Sequence, residues 1–382
     1  MRWRAAIAQR AGCDHVGDAV KILYVSDAAS VHTRRWAQAF RDAGAEVHVA
    51  SLRPAQIDGV TVHVLPTFGL GKLGYFLCVP ALRSLAKRLR PDVVHAQYVT
   101  SYGFLAATAG LAPLIVTAWG TDVLISPRES RVARWLAGRA LRAADRVTTV
   151  AEHMNAAVVA LGAAPDKVLA LPFGVDTELF RPPETARAEP PPLRVVSTRN
   201  FGPVYSVATV IDAIGRARAA GLVLHLDLIG DGPLRAELEA QVRAAKLDDV
   251  VQFHGHVDAR ELVRLLGCAH VFVSSALSDG NNVSLNEAMA CGCYPIATDI
   301  PANAQWLRDS GSGALFAPGD AAHLAACIEA VARDPAGRAA AARENRGIVE
   351  RRADWRVAVR QMQGLYEELV RGPVAPSAKE LP

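Results

Sequence analysis

Residues 180–194 read FRPPETARAEPPPLR, and this stretch decides how the chain is divided. It holds five prolines, at 182, 183, 190, 191 and 192, with charges scattered among them. Proline lacks an amide donor and fixes its own φ, so such a run sustains neither a helix nor a central strand. No helical or strand period runs through it, and it reads as a linker.

The same pattern stands on both sides of it. Upstream, short β-branched runs alternate with helical stretches. The strand signals are KILYVSD (21–27), AEVHVAS (45–51), VTVHVL (60–65), DVVHAQ (92–97), PLIVTAW (113–119), RVTTVA (146–151) and KVLALP (167–172). Residues 32–43 are helical in pattern after the first of them. Downstream the alternation restarts with LRVVST (193–198), LVLHLDLIG (222–230), VVQFHG (250–255), HVFVSS (270–275) and YPIAT (294–298). Strands alternating with helices predict parallel sheets covered on both faces. The fold class expected is therefore α/β, with two Rossmann-like doubly wound domains facing a cleft. WRVAVRQMQGLYEELV (355–370) reads as one amphipathic helix, followed by a proline-rich tail. The boundaries expected are 1–180, a linker at 181–192, 193–354, and a terminal helix and tail at 355–382.

Composition excludes several classes. Of 382 residues, 51% are hydrophobic and 21% charged, which suits large cores rather than disorder. The net charge is +4. Residues 1–180 hold 20 Lys and Arg against 14 Asp and Glu, a balance of +6; the rest holds 22 against 24, a balance of −2. The excess is too small to argue for nucleic acid. No run of about 18 uncharged apolar residues predicts a membrane span, and MRWRAAIAQR lacks the apolar core of a signal peptide. Six cysteines stand at 13, 78, 268, 291, 293 and 327. One Cys-x-Cys pair makes no metal site, so the expectation is reduced thiols and a cytoplasmic chain.

In doubly wound sheets ligands bind beyond the carboxyl ends of the strands. The richest such segment is SDGNNVSLNEAMACGCYPIAT (278–298). Asp279 opens a Gly/Asn-rich loop, and Glu287, eight positions on, is read as opening a helix. Loop amides and a helix start make a donor-rich pocket that suits a diphosphate. Carboxylates suit vicinal hydroxyls of a sugar. The plain alternative is a helix-capping loop with incidental acids.

This segment resembles the E-x7-E motif of retaining glycosyltransferases of the GT-B fold, family 4 (group 1). Asp279 stands where the first Glu is usual, and Glu287 matches the second. Further segments match in order. LPFGVDTELFRP (171–182) resembles the family's IPNGVD-x3-F-x-P. LIGDGPLRAELE (228–239) resembles its GDGP loop, and VQFHGHV (251–257) its F-x-G-x-V strand end. DVVHAQY (92–98) and TAWGTD (117–122) resemble segments of its N-terminal domain. Likeness extends over about 21–370.

The resemblance implies a nucleotide-sugar donor bound by residues 193–354 and a glycan or lipid-linked acceptor bound by residues 1–180. It assigns Asp279, Gly280, Asn281, Asn282, Val283 and Ser284 to the sugar and phosphates, and Glu287 to the ribose. It places Gly230, Gly232, His254 and Val257 near the nucleotide. It implies a hexosyl transfer with retention and without metal or cofactor, UDP being the favoured carrier and GDP an open one. Arg199, Asp279 and Asp122 are the catalytic candidates. A nucleotide-sugar epimerase of the same fold, or a non-catalytic nucleotide-sugar-binding module, is the alternative. A nicotinamide dehydrogenase is disfavoured because Val25-Ser26-Asp27-Ala28 follows the first strand, not G-x-G-x-x-G.

Two departures stand out. After the linker the family usually shows G-R-L-x3-K-G, but here STRNFGPVYS (197–206) supplies Arg199 and no lysine follows through 210. An arginine alone can grip phosphate bidentately. A usual His-Gly pair is replaced by Trp119-Gly120, so no histidine role passes to Trp119. His32, His95, Trp119 and Asp122 are expected to line the cleft on the acceptor side; for Asp122 a helix cap is the alternative, for His95 a core role.

RESRVARWLAGRALR (128–142) reads as one helix. Arg128, Arg131, Arg134, Trp135, Arg139 and Arg142 are expected on one face, with Val132, Ala133, Leu136 and Ala140 opposite. Arginines around a Trp suit an anionic lipid surface. Arg83, Lys87, Arg88 and Arg90 add charge nearby in sequence. A solvated basic face is the alternative; with lipid, the chain would sit peripherally on the inner face of a membrane.

Overall fold

The computed structural model describes residues 19–67, 74–185, 187–308 and 311–371. The chain divides into two compact units, Met1–Pro172 with Ala358–Pro382, and Phe173–Val357. Each is an α/β unit on one parallel sheet.

The first sheet has seven strands: β1 (Lys21–Val25), β2 (Glu46–Ser51), β3 (Thr61–Val64), β4 (Val93–Gln97), β5 (Leu114–Ala118), β6 (Arg146–Thr149) and β7 (Val168–Ala170). Their order is β3-β2-β1-β4-β5-β6-β7, all parallel. Chain direction across the sheet reverses between β1 and β4, the switch point at which loops diverge. β4 (VVHAQ) and β5 (LIVTA) are buried at every position, as strands covered on both faces are.

The second sheet has six parallel strands: β8 (Leu193–Ser197), β9 (Leu224–Ile229), β10 (Val251–Gly255), β11 (Val271–Ser274), β12 (Tyr294–Thr298) and β13 (Ala314–Phe316). Their order is β10-β9-β8-β11-β12-β13, with the switch between β8 and β11. β13 is only three residues long, which is too short for a strand period to be read from the sequence.

The division falls at Pro172, before the proline-rich segment. Residues 173–180 pack with the second unit because their backbone finds partners there. Val175 N–H donates to Ala353 O (2.7 Å) and Trp355 N–H donates to Val175 O (2.8 Å). Val175 and Phe180 join the second core. Gly174 lets the two segments approach, since a Cβ there would strike the Trp355 backbone.

The terminal helix runs Trp355–Arg371. From Ala358 it belongs to the first unit and buries Ala358, Met362, Leu365 and Tyr366. The Tyr366 hydroxyl meets Tyr24 Oη at 2.9 Å and His95 Nδ1 at 2.7 Å. A sequence-remote helix is thereby tied to β1 and β4.

The stretch 128–142 is not one helix. Ser126–Glu129 is a separate turn, and Ser130 caps a new helix, Arg131–Ala143, accepting from Ala133 N–H. Arg128 therefore lies off that helix. Val132, expected inside, is 66% exposed, and Trp135 is 53% exposed. At 100° per residue Val132 follows Arg139 closely around the axis, so both face out. Cys13 lies outside the described residues. The other five cysteines are free thiols, and burial pushes Cys293 up to about 11.

Candidate functional site

The carboxyl ends of β8, β11 and β12 are joined by one buried polar network. Asn282 is its hub and is fully buried. As N-cap of the helix Val283–Ala290 it accepts Leu285 N–H through Oδ1 (3.1 Å). Its amide nitrogen donates to Ser274 Oγ (3.0 Å) and Asn303 Oδ1 (2.8 Å). Asn303 in turn donates to Thr298 O (2.9 Å). The helix thus begins at Val283, four residues before Glu287, because Asn at 282 supplies the cap. Glu287 sits half-buried in its second turn.

Arg199 closes the network from the β8 side. It is 8% exposed. Its Nη1 donates to Asn282 Oδ1 (2.8 Å), and its Nη2 is ion-paired with Asp279. Its guanidinium carbon lies 4.6 Å from the centroid of the Tyr205 ring. Its Nε is buried with no hydrogen-bond partner among the described residues. The sequence proposed Arg199 for the phosphates and Asp279 for the sugar; the structure pairs them. Without ligand, each neutralises the other.

Asn281 differs from its neighbour. It is 8% exposed, and neither amide atom has a partner among the described residues. The same holds for the fully buried Asn286, one turn along the helix, which sequence reasoning passed over. Buried polar atoms are nearly always paired, so these amides are open to a ligand or an ordered water. Ser284 Oγ donates to Thr198 O (3.1 Å), which fixes the helix start against the β8 loop.

Other expected donor contacts have structural duties. Gly230 has φ +136°, and a Cβ there would strike Arg199 O. A Cβ at Gly232 would lie 2.8 Å from Phe201 O. These glycines let the β9 loop pass under the β8 loop. His254 Nε2 meets Asp227 Oδ1 at 2.7 Å, and His225 Nε2 lies 3.3 Å from the same oxygen. Val257 packs against the core cluster that holds Ile229 and Leu265. Gly280 is buried, and Val283 half-buried against that core. Among the described residues no group of three or more His, Cys, Asp or Glu could hold a metal.

Comparisons with known proteins match this arrangement along the chain. The family model described as Glycosyl transferase 4-like matches residues 21–151, and that described as Glycosyl transferases group 1 matches 183–347. Together they cover well over half of the chain. The chain belongs to the group 1 glycosyltransferases, with the GT-B fold.

Among its relatives is the D-inositol 3-phosphate glycosyltransferase of Arthrobacter sp., 28% identical over 82% of this chain and 84% of that protein. The amylovoran biosynthesis glycosyltransferase AmsK of Erwinia amylovora is 26% identical over 56% of this chain. The chain spans about half the length of that relative, 53%. The solved structure of Anabaena HepE in complex with UDP and glucose superposes with a TM-score of 0.77 at 18% identity, covering 91% of this chain and 99% of that one.

In this group 1 glycosyltransferase the first unit gathers some of the expected residues and buries others. His32 and Trp119 come together, with ring centroids 5.5 Å apart and edge to face. Tyr98 joins them, 6.2 Å from Trp119. Its φ of 78° is strained for a non-glycine residue, and nothing in the sequence signals it. Burial, with Arg35 nearby, lowers the His32 pKa to about 4, so the ring is neutral at pH 7.

Asp122 is fully buried. Its carboxylate accepts the N–H groups of Val99 (2.7 Å), Trp119 (3.1 Å) and Gly120 (2.8 Å). It pins the β4 and β5 loops and is not presented to a ligand, which corrects its place among catalytic and acceptor residues. His95 is corrected likewise. It is fully buried, with Nδ1 on Tyr366 and Nε2 2.5 Å from Thr117 Oγ1. Both ring nitrogens are taken. Asn282 is corrected from sugar contact to helix cap, for the same reason of burial and full engagement.

Proposed function

We propose that the chain moves a glycosyl group from a nucleotide sugar, UDP favoured, to a hydroxyl of a glycan or lipid-linked acceptor in cell-surface polysaccharide or glycoconjugate synthesis. Retention at the anomeric carbon and independence of metal are part of this reading. The observation that carries it is the Arg199–Asp279 pair set on the Asn282-capped helix, beside the unpartnered Asn281 amide. A donor diphosphate can replace Asp279 as the anion on Arg199. Asp279 is then released to accept hydroxyls of the sugar. The Arg199 charge is then met by the diphosphate, and the Asp279 carboxylate is solvated by hydroxyl hydrogen bonds in place of the guanidinium. HepE, whose structure holds UDP and glucose, and AmsK, named for amylovoran synthesis, support the donor and the polysaccharide context.

The anomeric carbon–oxygen bond to the diphosphate breaks as the acceptor oxygen bonds to that carbon on the same face. The acceptor proton passes to the departing phosphate oxygen. The leaving diphosphate gains charge, and Arg199 with the start of the helix at Val283 stabilises it. Glu287 holds the ribose, and Gly230, Gly232, His254 and Val257 shape the nucleotide end.

The exposed Trp135 and Val132, with Arg131, Arg134, Arg139 and Arg142 on the same helix, support docking on an anionic lipid surface from the cytoplasm. No helix among the described residues is long and apolar enough to cross a membrane.

The test is a thermal-shift and ligand-observed NMR panel of UDP-, GDP-, ADP- and dTDP-sugars on wild type and Arg199→Ala. Stabilisation by one donor, lost in the variant, is expected. Folded protein stabilised by none of them would overturn the reading. Turnover of the donor alone into its epimer would replace transfer by epimerisation. Product anomeric configuration by NMR, and activity in chelator, check retention and metal independence.

A further inference from the structure

The opposite end of β8 carries a second cationic pocket. Arg194 is the second residue of that strand, while Arg199 lies beyond its carboxyl end. Five residue steps, three of them along the strand, separate the two by at most about 17 Å. A cavity of about 370 Å³ opens there, lined by Arg181, Arg187, Arg194, Arg264, Gly267 and Cys268 among others. Among the described residues no carboxylate lines it.

The four arginines are not equally committed. Arg181 pairs with Glu184 (2.9 Å), and Arg264 pairs bidentately with Glu261 (2.7 and 2.6 Å). Both pairs are solvent-exposed and easily exchanged. Arg187 is held rigid by the carbonyls of Gly267 (2.9 Å), Gly292 (2.9 Å) and Cys291 (2.5 Å). It keeps its full charge, because carbonyls do not neutralise it. The Arg194 side chain makes no hydrogen bond among the described residues, and its Nε is buried. Two of the four charges are thus balanced by Glu184 and Glu261, leaving Arg187 and Arg194. Glu189 lines the neighbouring cavity of about 180 Å³, together with Arg187, His270 and Arg338. Two uncompensated guanidinium groups, one preset by its carbonyl contacts and one lacking an acceptor, match a doubly charged oxyanion.

We propose that this pocket binds a small phosphate-bearing molecule, a phosphate monoester or a diphosphate, at a site separate from that of the donor. It uses none of the residues assigned to the donor, so it stands or falls independently of the transferase reading.

The test is calorimetric titration of inorganic pyrophosphate into the full-length Arg199→Ala protein, which lacks the donor-side arginine. One site is expected to remain. Adding Arg194→Gln and Arg264→Gln should weaken it at least tenfold. Should that combination fail to fold, Arg181→Gln with Arg264→Gln removes only exposed groups and should still weaken binding several-fold. Undiminished affinity in the folded variants would overturn the proposal. So would a thermal shift from sodium chloride at matched ionic strength equal to that from pyrophosphate.

Discussion

Each unit buries a polar network in its sheet, and the two networks differ in one respect. In the first unit the chain Tyr24–Tyr366–His95–Thr117–Thr148 is closed. Its steps measure 2.9, 2.7, 2.5 and 2.6 Å, and both nitrogens of His95 are taken. In the second unit the network around Asn282 is open. Arg199 Nε and the amides of Asn281 and Asn286 end without partners among the described residues. A closed network specifies a packing arrangement; an open one leaves buried donors and acceptors that a ligand or an ordered water can satisfy. Of the polar residues singled out from the sequence, those in the closed network serve structure. Those bordering the open one remain candidates for chemistry.

The largest effect expected from this contrast is acid sensitivity of the first unit. Burial lowers His95 to about 3 and His32 to about 4, below the ordinary value of 6.5. The unfolded chain therefore takes up these protons first as pH falls. The stability is fully present above about pH 6.5 and is lost between there and about pH 3. Hydrogen exchange of first-unit peptides along a pH series should show this loss, with a shallower slope in His95→Gln. An unchanged slope would break the assignment of His95 to the closed network.

Next, Arg199→Ala should lower kcat/KM by roughly 10²–10³-fold, the scale for removing a charge-stabilising donor. Steady-state kinetics with the donor found by the panel would measure it, and an activity near wild type would remove Arg199 from the chemistry. Tyr366→Phe should act on the other unit alone. It strips the hydroxyl shared by Tyr24 and His95 and should cost about 1–3 kcal/mol of stability by denaturant titration. Donor affinity should stay at the wild-type value, and a parallel loss of donor binding would merge the two networks.

The smallest change sharpens the comparison most. Asn281→Ala removes an amide that has no partner among the described residues. The unfolding midpoint should hold or rise slightly, while donor affinity falls about tenfold, or 1.4 kcal/mol. Calorimetry with the donor and thermal melts of the free protein separate the two effects. A marked loss of stability with unchanged affinity would make Asn281 a structural residue like Asn282.

The distinction between Asn281 and Asn282 shows where sequence reading stopped. The loop was legible as a site because Asp279, glycine and paired asparagines precede a helical run. Both asparagines were assigned to the ligand. Only the fold turns Asn282 inward onto Ser274 and Asn303, which come from the end of β11 and the helix that follows β12. Asp122 shows the same limit, since its three amide partners come from two loops brought together at the ends of β4 and β5. Tyr98 carries no sequence signal, because its strained backbone is imposed by the β4 loop.

What the sequence determined by itself was periodic or punctuated. β-branched runs alternating with helical stretches dictated two parallel sheets, because burial on both faces demands continuous apolar strands. Proline density dictated a break near 180–194, because such a run cannot sustain hydrogen-bonded structure. What the tertiary structure decided was non-local. It placed 173–180 with the second unit through the pairing of Val175 with Ala353 and Trp355. It paired Arg199 with Asp279, 80 residues apart. It spent His95 on a hydroxyl from the terminal helix. These outcomes depend on which side chains meet after the chain closes on itself, and local periodicity carries no record of that.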